Sequence, residues 1–207
     1  MRFFKYIIMN IDLHIHSKEY SLCGVSTIEE QIEAAIAAGL DAVAFSNHDR
    51  LVPRERMNEL HRQYAPFKIF SGIEVTVQGG EHILVIGLYD PALEGGKWEY
   101  PALHRHVRKH GGFMVLNHPF RFNSTIEIDY RRFPPDAIEA YSTNILSSLT
   151  PKIMQVAQEI NVPVVSNSDA HVKKDVGRHY NMLEGTPTTD KELVDALKSG
   201  QFTPHFN

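Results

Sequence analysis

Eight metal-competent side chains in this chain each stand where a short apolar run ends. They are His14 and His16 in Asp12-Leu13-His14-Ile15-His16, His48 in Asn47-His48-Asp49, Glu74 in Gly72-Ile73-Glu74, and His82 after Glu81. His118 in Asn117-His118-Pro119, and Asp169 and His171 in Ser168-Asp169-Ala170-His171, complete the set. Imidazole and carboxylate are the ligands of borderline-hard divalent metals. One such group at a strand end carries little weight. Six such segments at successive strand ends would form a ring, because in a β/α barrel those ends open on one face, where active sites lie. The pattern predicts a multinuclear metal centre and hence a metal-dependent hydrolase.

The rest of the chain supports that frame. At 207 residues it is long enough for a single domain with a real core, read as 1–207. A net charge of −4 shows no basic excess of the kind that long nucleic acid or an anionic membrane surface would attract. The single cysteine, Cys23, rules out an intrachain disulfide and fits a reducing compartment, so a cytoplasmic location is expected. Residues 1–9 are apolar but far too short to span a bilayer. Met9 serves equally well as a start, which would make residues 1–8 an upstream extension.

β and α patterns alternate along the chain, as in βα units with a parallel sheet. Ile11, Leu13 and Ile15 alternate with Asp12, His14 and His16, so the two histidines point the same way. Ser26 with Glu29 reads as a capping box, Ile28, Ile32, Ala35 and Ile36 as an apolar stripe, and Gly39 as a stop. Strands are expected over 42–46, 68–75, 83–88, 113–116, 137–141 and 162–165, with a turn at Gly79-Gly80. Helices are expected from Pro53 to Ala65, from Pro101 to Gly111, from a Thr150 cap to Ile160, and over 190–198. That gives about seven strands. A distorted barrel is the best closure and an open doubly wound sheet the alternative, which the lack of a glycine-rich loop after the first strand disfavours.

Each site signal has a bland counterpart. His-x-His on a strand binds one ion if its Cα atoms lie about 7 Å apart on one face, given a rise of roughly 3.3 Å per residue. Otherwise it is a solvent-facing polar pair. Ser-Asp-Ala-His offers a second such pair, or a loop cap. Glu74 follows a buried-looking run, where an unpaired carboxylate is expensive and a metal bridge removes the cost. His82 alone reads as a rim or core histidine. The conjunction carries the metal reading. His61, His104, His106 and His110 sit in expected helices among charged neighbours and read as solvated, although His106 and His110 are one turn apart.

Asp12 to Ser17, His48-Asp49, Gly72 to Val75, His118 and Asp169 to His171, in this order, resemble the PHP (polymerase and histidinol phosphatase) family of phosphoesterases over nearly the whole chain. The resemblance implies a distorted seven-stranded (β/α) barrel with a trinuclear metal site at the C-terminal ends of the strands. It also implies cleavage of phosphomonoesters or phosphodiesters. Carried over residue by residue, it gives His14, His16, Glu74 and Asp169 to a first ion. Glu74 bridges to a second ion completed by His82 and His118, and His48 and His171 hold a third. Relatives usually add an aspartate a few residues after His16. Here the stretch Ser17 to Gly24 has none, and Cys23 or Glu19 is left to substitute. A thiolate ligand favours zinc or iron over manganese.

Phosphate needs cationic donors, and arginine suits bidentate contact. Arg121, three residues after His118, and Arg178 are the best candidates, followed by Arg50 and Lys18. His179 stands close enough in sequence to the last ligands to aid the leaving oxygen. Two to three divalent ions (zinc, manganese or iron) are thus expected. They would activate water for in-line attack on the phosphate of a small metabolite, a nucleotide or a short oligonucleotide. Two alternatives remain open. The missing aspartate favours a non-catalytic metal-binding domain, and His-x-His on a first strand also opens amidohydrolase-like C–N hydrolases, which need a carboxylated lysine.

Overall fold

The computed structural model describes residues 7–206. Of the proposed extension, residues 1–6 lie outside the described residues, whereas Ile8 already opens the first strand. The chain forms β1 (Ile8–Ile15), α1 (Ile28–Ala37), β2 (Ala42–Phe45), α2 (Arg54–Tyr64), β3 (Lys68–Thr76), β4 (His82–Ile86) and α3 (Tyr100–His110). It continues with β5 (Phe113–Leu116), β6 (Ala137–Tyr141), α4 (Thr150–Glu159), β7 (Val164–Ser166), β8 (His179–Glu184), α5 (Asp190–Lys198) and β9 (Phe202–Phe206). Among the described residues, no helix is long and apolar enough to cross a membrane.

The strands make one mixed sheet in the order β7-β6-β5-β4-β3-β2-β1-β8-β9. It curls into a nearly closed barrel. Side-chain contacts join the two ends without a continuous ladder: Ser166 Oγ donates to the His205 carbonyl at 2.6 Å, Asn181 Nδ2 donates to the Ser166 carbonyl at 2.8 Å, and the rings of Tyr141 and Phe206 stack 3.8 Å apart. A parallel bridge between Ile15 and Ala170 draws the segment after β7 against β1.

This is a nine-stranded mixed sheet rather than the expected seven-stranded (β/α) barrel. The two additional strands have a physical explanation. β9 contains Pro204, which lacks an N–H, and proline in a strand is confined to an edge such as this one. β8 runs antiparallel to β1, so no crossover helix marks its start. The hairpin of β3 and β4 is antiparallel as well.

Three apolar clusters hold the layers together. Phe70, Leu84, Ile86, Phe113, Val115 and Val165 fill the interior of the sheet, and α5 adds Leu193, Val194 and Leu197 to the same cluster. Asp190 of α5 accepts the Ser71 N–H at 2.9 Å, seating that helix against β3. On the outside, α3 and α4 cover Ile83, Val85, Met114, Leu116 and Ile138, while α1 and α2 cover Val43, Phe45 and Ile69.

Local signals are shifted in places. The capping box of α1 uses Thr27 and Glu30, one residue later than Ser26 and Glu29. Ser26 is engaged elsewhere, its Oγ accepting the Lys173 N–H at 3.0 Å. Ile36, assigned to the apolar stripe, is 44% exposed. Thr150 does not cap α4; it is the first helical residue, and its hydroxyl donates to the Ala140 carbonyl.

Phe113 is 1% exposed at the centre of the interior cluster. We expect Phe113→Ala to lower unfolding free energy by about 3–5 kcal/mol in urea denaturation. A loss below about 1 kcal/mol would show that this ring does not fill a close-packed interior.

Candidate metal centre

β1 is buried on both faces, so Asp12, His14 and His16 are inaccessible to solvent rather than lining a wet surface. His14 Nε2 and His16 Nε2 lie 3.0 Å apart. Glu74 Oε2 lies 3.3 Å from each of these nitrogens, and Asp169 Oδ1 lies 3.3 Å from the first and 3.2 Å from the second. Metal–ligand bonds of about 2.0–2.2 Å put neighbouring ligand atoms about 3–3.5 Å apart, so these separations match the edges of one coordination polyhedron. Neither Glu74 Oε2 nor Asp169 Oδ1 has a hydrogen-bond partner, although both are buried. Unpaired buried carboxylate oxygens are costly, and a shared cation removes the cost.

The second oxygen of Glu74 faces another pair. Oε1 lies 3.1 Å from His118 Nε2 and 3.2 Å from His82 Nδ1. His82 is the first residue of β4, not the residue after a strand. Because β4 is antiparallel, its start lies opposite Thr76 at the end of β3, on the same face as Glu74. His48 Nδ1 is 3.1 Å from Glu74 Oε2. His16, Cys23, His48 and His171 form a further group whose ligand atoms lie within 4.8 Å of one another. His171 Nδ1 donates to the Asp169 carbonyl at 2.9 Å, which leaves Nε2 free to bind.

The charges fit a cation as well. Burial opposes charge on His14, but Asp169, Glu74 and Glu139 outweigh it and hold its pKa well above the usual histidine value. Burial would raise Glu74, yet His14, His118 and His82 hold it well below the usual carboxylate range. Asp169 is likewise held low by His14 and His16 against its burial. The cluster draws positive charge inward. His48, by contrast, is pushed down to about 4 by burial and stays neutral.

No curated protein sequence matches the chain. Residues 151–202 match a family model described as PHP-associated. A two-domain protein from Bacteroides vulgatus that contains a predicted PHP-like metal-dependent phosphoesterase superposes with a TM-score of 0.73 at 22% identity, over 98% of this chain and 66% of that one. PsfC from Pseudomonas syringae superposes at 0.71 and 18% identity, over 97% of this chain and 92% of that one. PfuEndoQ, a lesion-specific endonuclease from Pyrococcus furiosus, does so at 0.68 and 20% identity, over 96% and 58%. This chain shares the fold of these proteins over nearly its whole length. It spans just under two thirds of the first of these proteins.

The fold brings all eight expected ligands together, with Cys23 beside them. Glu19 is turned away, its carboxylate accepting the Ile28 N–H at the start of α1. Cys23 joins the group from a loop in which Gly24 packs against Ser17, just after β1; a Cβ at Gly24 would meet the Ser17 carbonyl at 2.6 Å. Arg121 Nη1 donates to Asp169 Oδ2 at 3.0 Å, at the rim. Arg178 and His179 stand apart. Arg178 is more than half exposed beside Asp175, and His179 opens into a separate cavity of about 590 Å³ that is lined by none of the eight ligands. A cavity of about 530 Å³ adjoins His48 and Cys23, with Lys18 and Arg50 on its walls.

Several supporting residues escaped the sequence reading. Glu139 Oε1 accepts from His14 Nδ1 at 3.0 Å and from Asn167 Nδ2 at 2.9 Å, while Oε2 accepts the His118 N–H at 3.2 Å. The signal for it was a lone carboxylate inside the apolar strand Ala137–Tyr141. Asn144 Nδ2 donates to Asp169 Oδ2 at 2.8 Å, and Asp12 Oδ1 accepts the N–H groups of His14 and Ser168, tying β1 to the Asp169 loop. His118 and Asp169 hold left-handed backbone, with φ of 27° and 51°. Such residues cost about 1–3 kcal/mol each and persist where the surroundings fix them.

Partners that orient a liganding histidine are worth about 10–100-fold in metal affinity. We therefore expect Glu139→Gln to weaken Zn²⁺ binding by that order in a chelator competition assay, with the circular dichroism spectrum unchanged. Unaltered affinity would remove Glu139 from the support of the site.

Proposed function

We propose that this chain is a metal-dependent phosphoesterase. One observation supports the reading most: a fully buried glutamate whose two oxygens face five histidine nitrogens at 3.1–3.3 Å. His14, His16, Glu74 and Asp169 would hold a first ion. Glu74, His82 and His118 would hold a second, and His48, His171 and Cys23 a third, with His16 close by. Divalent ions in such a site polarise a phosphoryl oxygen and lower the pKa of water toward neutrality; zinc, manganese and iron all suit the donor set.

The chain's own residues would do the rest. Arg121, braced on Asp169, has further guanidinium donors for the equatorial phosphate oxygens. Lys18 and Arg50 line the cavity beside His48 and favour an anionic substrate. Phe122, 62% exposed, sets its ring edge-on to His82 and His118 with centroids 5.6 and 5.9 Å away. It offers an aromatic face beside the reacting phosphate, which suits a nucleotide or short oligonucleotide as well as a small phosphomonoester. The phosphoesterase and endonuclease relatives agree with this class of bond.

A second reading, a metal-binding domain without catalysis, is favoured by the stretch from Ser17 to Gly24, which has no aspartate where the family resemblance calls for one. The C–N hydrolase reading lacks its lysine: among the described residues none is buried.

The test is a panel of phosphomonoesters, nucleotides and short oligonucleotides with Mn²⁺, Zn²⁺ or Fe²⁺. We expect metal-dependent hydrolysis that His14→Ala abolishes and that Arg121→Ala lowers by roughly 100-fold in kcat/KM. Tight metal binding with no hydrolysis of any member would favour the non-catalytic domain. Arg121→Ala at wild-type kcat/KM would take that side chain out of phosphate binding.

A further inference from the structure

Away from the cluster, α3 carries a second set of metal-competent side chains. His106 and His110 lie four residues apart, one turn along the helix, with ring centroids 4.3 Å apart. His106 Nε2 meets Asp90 Oδ2 at 2.8 Å. One ligand atom from each of the three lies within 4.8 Å of the others.

Two of the three are oriented by a partner on their other polar side-chain atom. Asp90 Oδ1 accepts the Ala92 N–H at 2.9 Å, which aims Oδ2 at His106. His110 Nδ1 donates to the His106 carbonyl at 2.8 Å, which leaves Nε2 as the ring nitrogen open to a ligand. The His106 ring is packed against Trp98 at 5.0 Å, and Trp98 is itself anchored by its Nε1 donating to the Ala92 carbonyl at 3.0 Å. A simple His–Asp hydrogen bond needs neither the second imidazole nor its orienting partner.

We propose that Asp90, His106 and His110 form a separate, peripheral transition-metal site. Two imidazole nitrogens and one carboxylate oxygen select Zn²⁺, Ni²⁺ or Cu²⁺ over Mg²⁺ or Ca²⁺. A bound ion displaces the proton between His106 and Asp90 and ties the segment from Asp90 to Trp98 onto α3. The site shares no residue with the buried cluster and stands whether or not that cluster is catalytic.

The chain has one tryptophan, Trp98, and it touches a proposed ligand. The untagged full chain is titrated with Cu²⁺, a paramagnetic quencher, while tryptophan emission is followed. We expect saturable quenching that persists in His14→Ala and whose midpoint rises by about tenfold or more in His110→Ala. His110 is exposed, so its replacement leaves the fold and any hydrolytic activity unchanged. Equal quenching curves for wild type and His110→Ala would overturn the proposal. Quenching lost in His14→Ala but kept in His110→Ala would also overturn it, since the signal would then belong to the buried cluster.

Discussion

A carboxylate held away from water sets the terms for one whole end of this molecule. Glu74 is inaccessible to solvent, and imidazole nitrogens surround both of its oxygens. An ionised group in such a place carries a penalty of several kcal/mol unless opposite charge or aligned donors compensate it. An imidazole that binds an ion is neutral and offers one N–H at most, and here two such N–H groups are committed elsewhere: His14 Nδ1 to Glu139 and His171 Nδ1 to the Asp169 backbone. The remaining ring nitrogens and the unpartnered Glu74 Oε2 and Asp169 Oδ1 converge on common points, an arrangement that suits cations.

The departures of the sheet from a regular barrel follow from the same requirement. An antiparallel β4 carries its ligand at its start, yet delivers it to the face where parallel strands carry theirs at their ends. β8 and β9 take the place of further βα units and let the sheet close on Ser166 and Tyr141. Left-handed backbone at His118 and Asp169 turns both side chains back toward the centre, and a network from Asp12, Glu139, Asn144 and Asn167 holds them there.

Much of this was legible in the sequence because ligand chemistry and strand period are local. Two-residue spacing put His14 and His16 together, and apolar runs marked β2, β5 and β6 within a residue. What the sequence concealed was relational. The direction of β4 depends on a hairpin rather than on its own residues. The edge strand β9 is disguised by its proline. Glu139 looks like an ordinary polar residue until Asn167 and His14 are brought to it. Arg178 and His179 follow the last ligands closely in the chain, but Arg178 turns to Asp175 and His179 opens into another cavity. Cys23 sits in a loop whose path is set by contact at Gly24, which no periodicity encodes.

On the function proposed above, the buried histidine and carboxylate cluster holds several ions at once. Elemental analysis of the full chain, reconstituted with Zn²⁺, Mn²⁺ or Fe²⁺ and freed of excess metal, tests it most directly. The expected result is about two to three ions per chain in wild type and the loss of at least one from the buried cluster in Glu74→Gln. Fewer than one ion per chain under every condition, or an undiminished count in Glu74→Gln, would contradict it.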